Sequence, residues 1–213
     1  MMKNGYILNI MISVIVPYNK DRGFLKQCIE SVESQDYMHE IIPVYSDSSV
    51  AVNFNKGLKQ ASGEFVKFVC EDDFLPPGAL QLLAEGIDYF DWICANAIQV
   101  TYENWIYKPG NYSDDFLSLK GNLEMNRIHG GTTLYRTEIL KSIGGMNEKL
   151  WTGEEYDMHL KLMSLGHMPG YIDKEVYCHR IWGGQKSRVL RKNYKNERQK
   201  EIDRIQSLYS NKI

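Results

Sequence analysis

Short apolar runs dense in β-branched residues recur along the first seventy residues, separated by stretches of helical periodicity, and this alternation leaves few architectures open. Ile12 to Val16 is one such run, ended by Pro17, and continuous apolar strands of this kind belong to parallel sheets covered on both faces. Phe24, Leu25, Cys28, Ile29 and Val32 recur at helical spacing. Ile41 to Tyr45 forms the next run, before the polar turn Ser46-Asp47-Ser48-Ser49. A second helical stretch covers about Val52 to Ala61, and Ser62-Gly63 leads into the strand Phe65 to Val69. A β-α-β-α-β order has right-handed crossovers and parallel strands. Pro17-Tyr18-Asn19, Asp47 and Glu71-Asp72-Asp73 are therefore expected at one edge of one sheet.

That edge is where ligands collect in open α/β sheets. Three consecutive carboxylates, Glu71-Asp72-Asp73, stand where a strand ends and the helix marked by Pro76 and Pro77 begins. A hard divalent cation that bridges phosphate oxygens needs one or two carboxylates in such a place. Taken alone, the run also fits a solvated acidic turn.

Composition narrows the function classes. The 213 residues are 43% hydrophobic and 24% charged, as expected of one ordinary globular domain. A formal charge of -2 argues against a general nucleic-acid binder. No apolar stretch reaches the roughly 18 to 20 residues that span a bilayer, and Met1 to Met11 is too short and polar for a signal peptide, so the expected location is cytoplasmic. Cys28, Cys70, Cys94 and Cys178 form no Cys-x-x-Cys pair, which disfavours zinc and disulfides.

Beyond the acids, Leu80, Leu83 and Ile87 mark an amphipathic helix, and Trp92 to Ala95 the next strand. Thr101 to Gly121 has little periodicity and reads as a strand or two and a long loop. Thr132 to Arg136 reads as a strand and Thr137 to Ile143 as a helix closed by Gly144-Gly145. Glu154 to Leu165 reads as a helix closed by Gly166, and Ile172 to Cys178 as a last strand. Residues 188–213 read as a polar C-terminal helix or a connector to something outside the chain. The G-x-x-x-x-G-K and G-x-G-x-x-G phosphate loops are missing.

Several ordered segments carry a family resemblance: Ile12 to Asn19, Leu25 to Ile42, Asn55-Lys56-Gly57, Ala61 to Phe65, Gly144-Gly145-Met146-Asn147-Glu148 and Glu154-Glu155-Tyr156-Asp157. Over residues 12 to 187 the chain resembles nucleotide-sugar glycosyltransferases of GT-A fold, particularly family 2. The resemblance implies an α/β, Rossmann-like single domain over residues 1–187, with a central, mostly parallel sheet flanked by helices. It implies Mn²⁺ or Mg²⁺ at Asp72 and Asp73, with His179 a further candidate. Cys70 stands where the family's first acid is usual, and Glu71 is a candidate substitute.

By the same resemblance Asp47 contacts uracil or ribose of a UDP-linked donor, and Pro17, Tyr18 and Asn19 wall the nucleotide pocket. Asn55 and Arg180 join the donor contacts, and Lys186 and Arg188 could close over the diphosphate. Glu154 or Glu155 is the general base that removes the acceptor hydroxyl proton, while Asp157 reads as structural. Acids in a helix's first turn are also favoured by its dipole, so both roles stay open for the pair. Trp105, Tyr107, Tyr112, Trp151 and Trp182 are candidates for an acceptor-sugar platform. The expected partners are a UDP-sugar and a glycan or glycoconjugate, with inversion at the anomeric carbon; in a retaining enzyme neither glutamate would be the base. Two rivals remain on sequence grounds: a sugar-1-phosphate nucleotidyltransferase and a non-catalytic sugar-nucleotide-binding module.

Overall fold

A computed structural model describes residues 10–101 and 115–212, and the backbone of 105–107. Tyr112, the side chains of Trp105 and Tyr107, and the first nine residues, on which the leader-peptide expectation rests, lie outside the described residues.

The chain opens with β1 (Ile12–Tyr18), α1 (Leu25–Glu33), β2 (His39–Tyr45), α2 (Val50–Gln60) and β3 (Phe65–Phe68). β1 lies between β2 and β3 and is parallel to both, as the alternation of runs predicts. Pro17 does not end β1. It pairs with Val44 of β2, while β3, whose Val69 N–H reaches Ile15 O, has its last pairing with β1 at Ile15–Phe68. The missing proline N–H therefore leaves no ladder bond unmade.

Then come α3 (Ala79–Gly86), the long β4 (Trp92–Val100) and β5 (Trp105–Tyr107). These are followed by α4 (Leu119–Glu124), a 3-10 turn at Gly130–Thr132, β6 (Leu134–Arg136) and α5 (Thr137–Ser142). The chain finishes with α6 (Glu154–Ser164), β7 (Gly170–Arg180), α7 (Lys186–Asn193) and α8 (Lys195–Tyr209). The strand order is β2-β1-β3-β6-β4-β5, with β7 also paired to β4. β6 is antiparallel to both neighbours, β5 is antiparallel to β4, and β7 is parallel to β4. Five of the seven described strands thus point the same way, so the sheet is mostly parallel in direction, and their carboxyl ends share an edge.

Apolar alternation divides the core between the two faces of the sheet. Ile12, Val14 and Val16 of β1 pack with Cys28, Val32, Leu80 and Leu83 on one side. Ile15 packs with Phe54, Phe68, Trp92, Tyr135 and Leu160 on the other. The approach of α2 is close: a Cβ at Gly57 would lie 2.4 Å from Ile15 Cγ2, which only glycine avoids.

The C-terminal helices are joined to this core. Ile205 of α8 is fully buried and its Cδ1 would lie 2.9 Å from a Cβ at Gly153, the residue that caps α6. Tyr209 donates to Asp157 at 3.0 Å, and Gln206 donates to Leu123 O at 2.7 Å. Ile205→Ala is expected to destabilise the protein by about 2–5 kcal/mol, the usual cost of emptying a buried aliphatic site. Leu208→Ala, at a position 52% exposed, should stay within about 0.5 kcal/mol. Denaturant midpoints of the two variants check both values.

Candidate functional site

β3 hands the chain to the acids at the shared carboxyl edge, and β7 receives them there. Phe74 and Cys178 exchange backbone hydrogen bonds of 3.2 and 2.9 Å, closing the loop against the end of β7. Asp73 is 2% exposed. Its Oδ2 accepts from the Tyr177 hydroxyl at 2.8 Å and faces His179 Nδ1 at 3.4 Å, and its Oδ1 accepts the Arg180 backbone N–H at 2.7 Å. Asp72 Oδ2 accepts from Trp182 Nε1 at 2.8 Å. Glu71 pairs with Arg22. Ligand atoms of Cys70, Asp72 and Asp73 lie within 4.8 Å of one another.

The electrostatics show a shortage of positive charge. Burial, then Asp72, pushes Glu71 up to about 7; burial, then Asp73, raises Asp72 above the usual carboxylate range. Burial alone would lower His179, but its hydrogen bond to Asp73 and the charges of Asp73 and Asp72 outweigh that and raise it. Oxygen ligands carrying uncompensated negative charge suit a hard divalent cation, so the carboxylates of Asp72 and Asp73 fit one, while His179 stands behind Asp73. Cys70 offers its sulfur beside them, a soft ligand that a hard cation does not favour, and without a cation burial and the neighbouring acids hold its thiol well above the ordinary value.

The two glutamates at the start of α6 have different surroundings. Glu154 is 8% exposed and accepts from Lys186 Nζ at 2.6 Å. Glu155 is half-buried, and among the described residues no hydrogen bond reaches its carboxylate, which lies against Gly130: a Cβ there would be 2.4 Å from Glu155 Cδ. Burial, then Glu154 and Asp73, pushes Glu155 up to about 7, with Lys186 and Lys67 opposing. Asp157, 4% exposed, turns to Tyr209 of α8.

Other expected residues spread along the edge. Pro17 is buried, and the half-buried Tyr18 packs on Tyr45 with ring centroids 5.4 Å apart. Asn19 is exposed and accepts from Arg22 at 3.0 Å, and Asp47 is exposed just past β2. Arg180 donates from Nε to Asp72 O at 2.8 Å, and its guanidinium lies 4.5 Å from the Phe24 ring centroid. Lys186 joins the site through Glu154, whereas Arg188 is exposed on α7. Trp182 packs edge-on against Phe24, and Trp151 is 39% exposed.

Asn55 is not brought to the acids. Its amide donates to Met146 O at 2.8 Å and Glu148 Oε1 at 2.9 Å, and its carbonyl accepts Met146 N–H at 2.9 Å, so it anchors the 145–148 loop. Sequence reasoning missed Tyr177, Lys67 and His129. Lys67 carried a signal, a charged residue inside an apolar strand; the other two did not.

Known proteins resemble the chain in sequence and in fold. The family model for glycosyl transferase family 2 matches residues 46–144, a span that includes the whole acid loop. An uncharacterized glycosyltransferase of Rickettsia typhi is 24% identical over 94% of this chain and 70% of its own length. Staphylococcus aureus TarS, crystallised with UDP, superposes with a TM-score of 0.70 at 20% identity, covering 94% of this chain and 65% of that one. The chain is a glycosyltransferase of GT-A fold, similar to family 2 over residues 46–144. Another GT-A relative in structure is a mannosyltransferase of Pyrobaculum calidifontis in complex with GDP-Man and Mn²⁺, with a TM-score of 0.61 at 15% identity, over 79% of this chain and 56% of that one. The chain therefore spans less than two thirds of either of these two solved chains.

The glycosyltransferase should reveal its strained carboxylate thermally. Because folding raises Glu155 from its ordinary 4.5 to about 7, the folded state binds more protons between those values and stability falls as pH rises through them. Glu155→Gln is expected to melt a few degrees above wild type at pH 8 in EDTA and to lose that advantage toward pH 4.5. Calorimetric melts at the two pH values check it.

Proposed function

We propose that this glycosyltransferase moves a sugar from a UDP-linked donor to a carbohydrate hydroxyl, assisted by a divalent cation, with Glu155 as general base. One observation carries the reading. At the edge that holds the acid loop, one glutamate of the α6 pair is neutralised by a lysine, and the other has no hydrogen-bond partner among the described residues.

A general base works best with a pKa near the working pH and an acceptor oxygen free to meet the substrate. Glu155 fits both conditions, whereas the Glu154 carboxylate is already engaged by Lys186. Glu155 would take the proton of the acceptor hydroxyl as that oxygen bonds to the anomeric carbon and the diphosphate departs from the opposite face, which inverts the configuration. Asp72 and Asp73, with His179 behind Asp73, would hold Mn²⁺ or Mg²⁺, which would supply Lewis-acid stabilisation of the charge growing on the diphosphate. Asp73 is fixed in place by Tyr177 and the Arg180 amide.

The uridine preference is supported by the closer superposition of the UDP-bound transferase than of the GDP-Man-bound one. Asp47, beside Tyr18 and Tyr45, offers a carboxylate and two aromatic faces to such a base. Residues 188–213 belong, on this reading, to the same catalytic unit, since α8 packs on the cap of the helix that bears Glu155. Among the described residues no helix is long and apolar enough to cross a membrane.

A thermal-shift screen of UDP, GDP and their sugars with and without Mn²⁺ tests the donor, because a ligand bound only by the native state raises apparent stability by mass action. UDP should shift the melting point more with Mn²⁺ than with EDTA, and Asp72→Asn should remove the difference. Equal shifts in wild type under both conditions would sink the metal. Glu155→Gln should keep donor affinity and lose about two to four orders of magnitude in transfer rate, with Glu154→Gln much less affected. Near wild-type transfer by Glu155→Gln would end its candidacy as the base.

A further inference from the structure

Lys67 is the least expected residue in the molecule. It lies in the middle of β3, paired with Val14 of β1 and Leu134 of β6, and its side chain is fully buried. A lysine there costs desolvation that an aliphatic residue would avoid, so its retention calls for a task.

Its ammonium donates to Phe68 O at 3.0 Å and to Gly131 O, and lies 5.0 Å from the centre of the Tyr177 ring. Gly131 belongs to the turn whose preceding residue, Gly130, is pressed against the Glu155 carboxylate; a Cβ on Gly130 would stand 2.6 and 2.7 Å from its two oxygens. The turn is built to hold still. His129 Nδ1 accepts Gly131 N–H at 3.0 Å, and the hydroxyls of Thr132 and Thr133 donate to His129 O and Gly130 O at 2.8 and 2.5 Å. A Cβ on Gly131 would strike the Tyr177 ring at 2.3 Å.

We propose that Lys67 is the positioning residue of the acceptor-side base: its buried ammonium fastens the turn on which the Glu155 carboxylate rests and supplies, from beneath, the positive charge that keeps that carboxylate able to accept a proton. This rests on the reading of Glu155 as the base. The titratable groups that face Glu155 are Glu154 on α6, Asp73 and Cys70 on the acid loop, Lys186 on α7, His179 on β7 and Lys67 on β3. Lys186 is occupied by Glu154. Lys67 has no carboxylate partner of its own among the described residues, and its bonds to two neutral carbonyls leave its charge uncancelled. Burial holds the ammonium down to about 7, partly offset by Cys70, Glu155 and Asp73. His129, which shares the turn, is pushed down to about 4 by burial and then by His179, and so stays neutral beside it.

The coupling can be read without knowing donor or acceptor. In the full chain labelled at glutamate carboxyl carbons and lysine Nζ, NMR titration follows Glu155, identified by the signal lost in Glu155→Gln. Lys67→Met should move the Glu155 midpoint up by about half a unit or more, since an opposing cation has been removed. By reciprocity of linked equilibria, the Lys67 Nζ midpoint should fall in Glu155→Gln. The second measurement stands alone if Lys67→Met does not fold. A Lys67 that only filled space would move neither midpoint, and unchanged midpoints overturn the proposal. That result would leave Glu155 as base untouched, whereas full transfer activity in Glu155→Gln would remove the base and leave the coupling standing.

Discussion

The site depends on how one buried carboxylate is held. Asp73 takes a hydroxyl from Tyr177 and a backbone N–H from Arg180, both on β7, while standing in the loop that leaves β3. Those strands are not neighbours: β6 and β4 lie between them in the sheet. Asp73 and the adjacent Phe74–Cys178 bridge therefore join two parts of the sheet at their carboxyl ends. Bonds to both oxygens of one buried carboxylate leave it little freedom, and here they fix the positions of Asp72, His179 and Arg180 relative to one another. Losing the Asp73 carboxylate would cost geometry as well as charge, because Tyr177 and the Arg180 amide would lose their acceptor.

Around that anchor the protein accumulates negative charge beyond what its own cations neutralise. Glu71, Asp72 and Glu155 all lie above their ordinary range, each with burial as the first cause. A fold selected for stability alone would avoid such crowding, and functional sites are where it is retained. The basic side chains that are present have separate duties: Arg22 to Glu71, Lys186 to Glu154, Arg180 to the backbone of Asp72, and Lys67 to the turn beneath Glu155.

Much of this could be read from the residues. The first three strands, their parallel pairing and the placing of the acids at the carboxyl edge follow from apolar runs and helical periods, since local pattern decides those elements. The choice between Glu154 and Glu155 did not follow, because it turns on Lys186 reaching one of them from a helix 32 residues away. Tyr177 and His129 were equally hidden: the antiparallel insertion of β6 and the parallel pairing of β4 with β7 bring them to the acids, and no periodicity announces either. Asn55, grouped with the donor contacts by resemblance, instead spends its whole amide on a loop 91 residues away. Pro17 looked like a strand end and is a strand member, because β3 pairs with β1 no further than Ile15.

β6 is three residues long, pairs with β3 at three positions and with β4 at two, and is the ladder that joins them. The sheet is thus two leaves on a narrow spine: β1 to β3 with the acid loop, and β4 with β5 and β7. Few ladder bonds join the leaves, so what keeps them in one sheet is the side-chain core that both supply on each face, Ile15 and Phe68 with Trp92 on one and Val14 with Ile93 and Val176 on the other. A change of shape in a core residue of either leaf is therefore felt by the other, and the clasp at Asp73 closes the same join at the carboxyl edge.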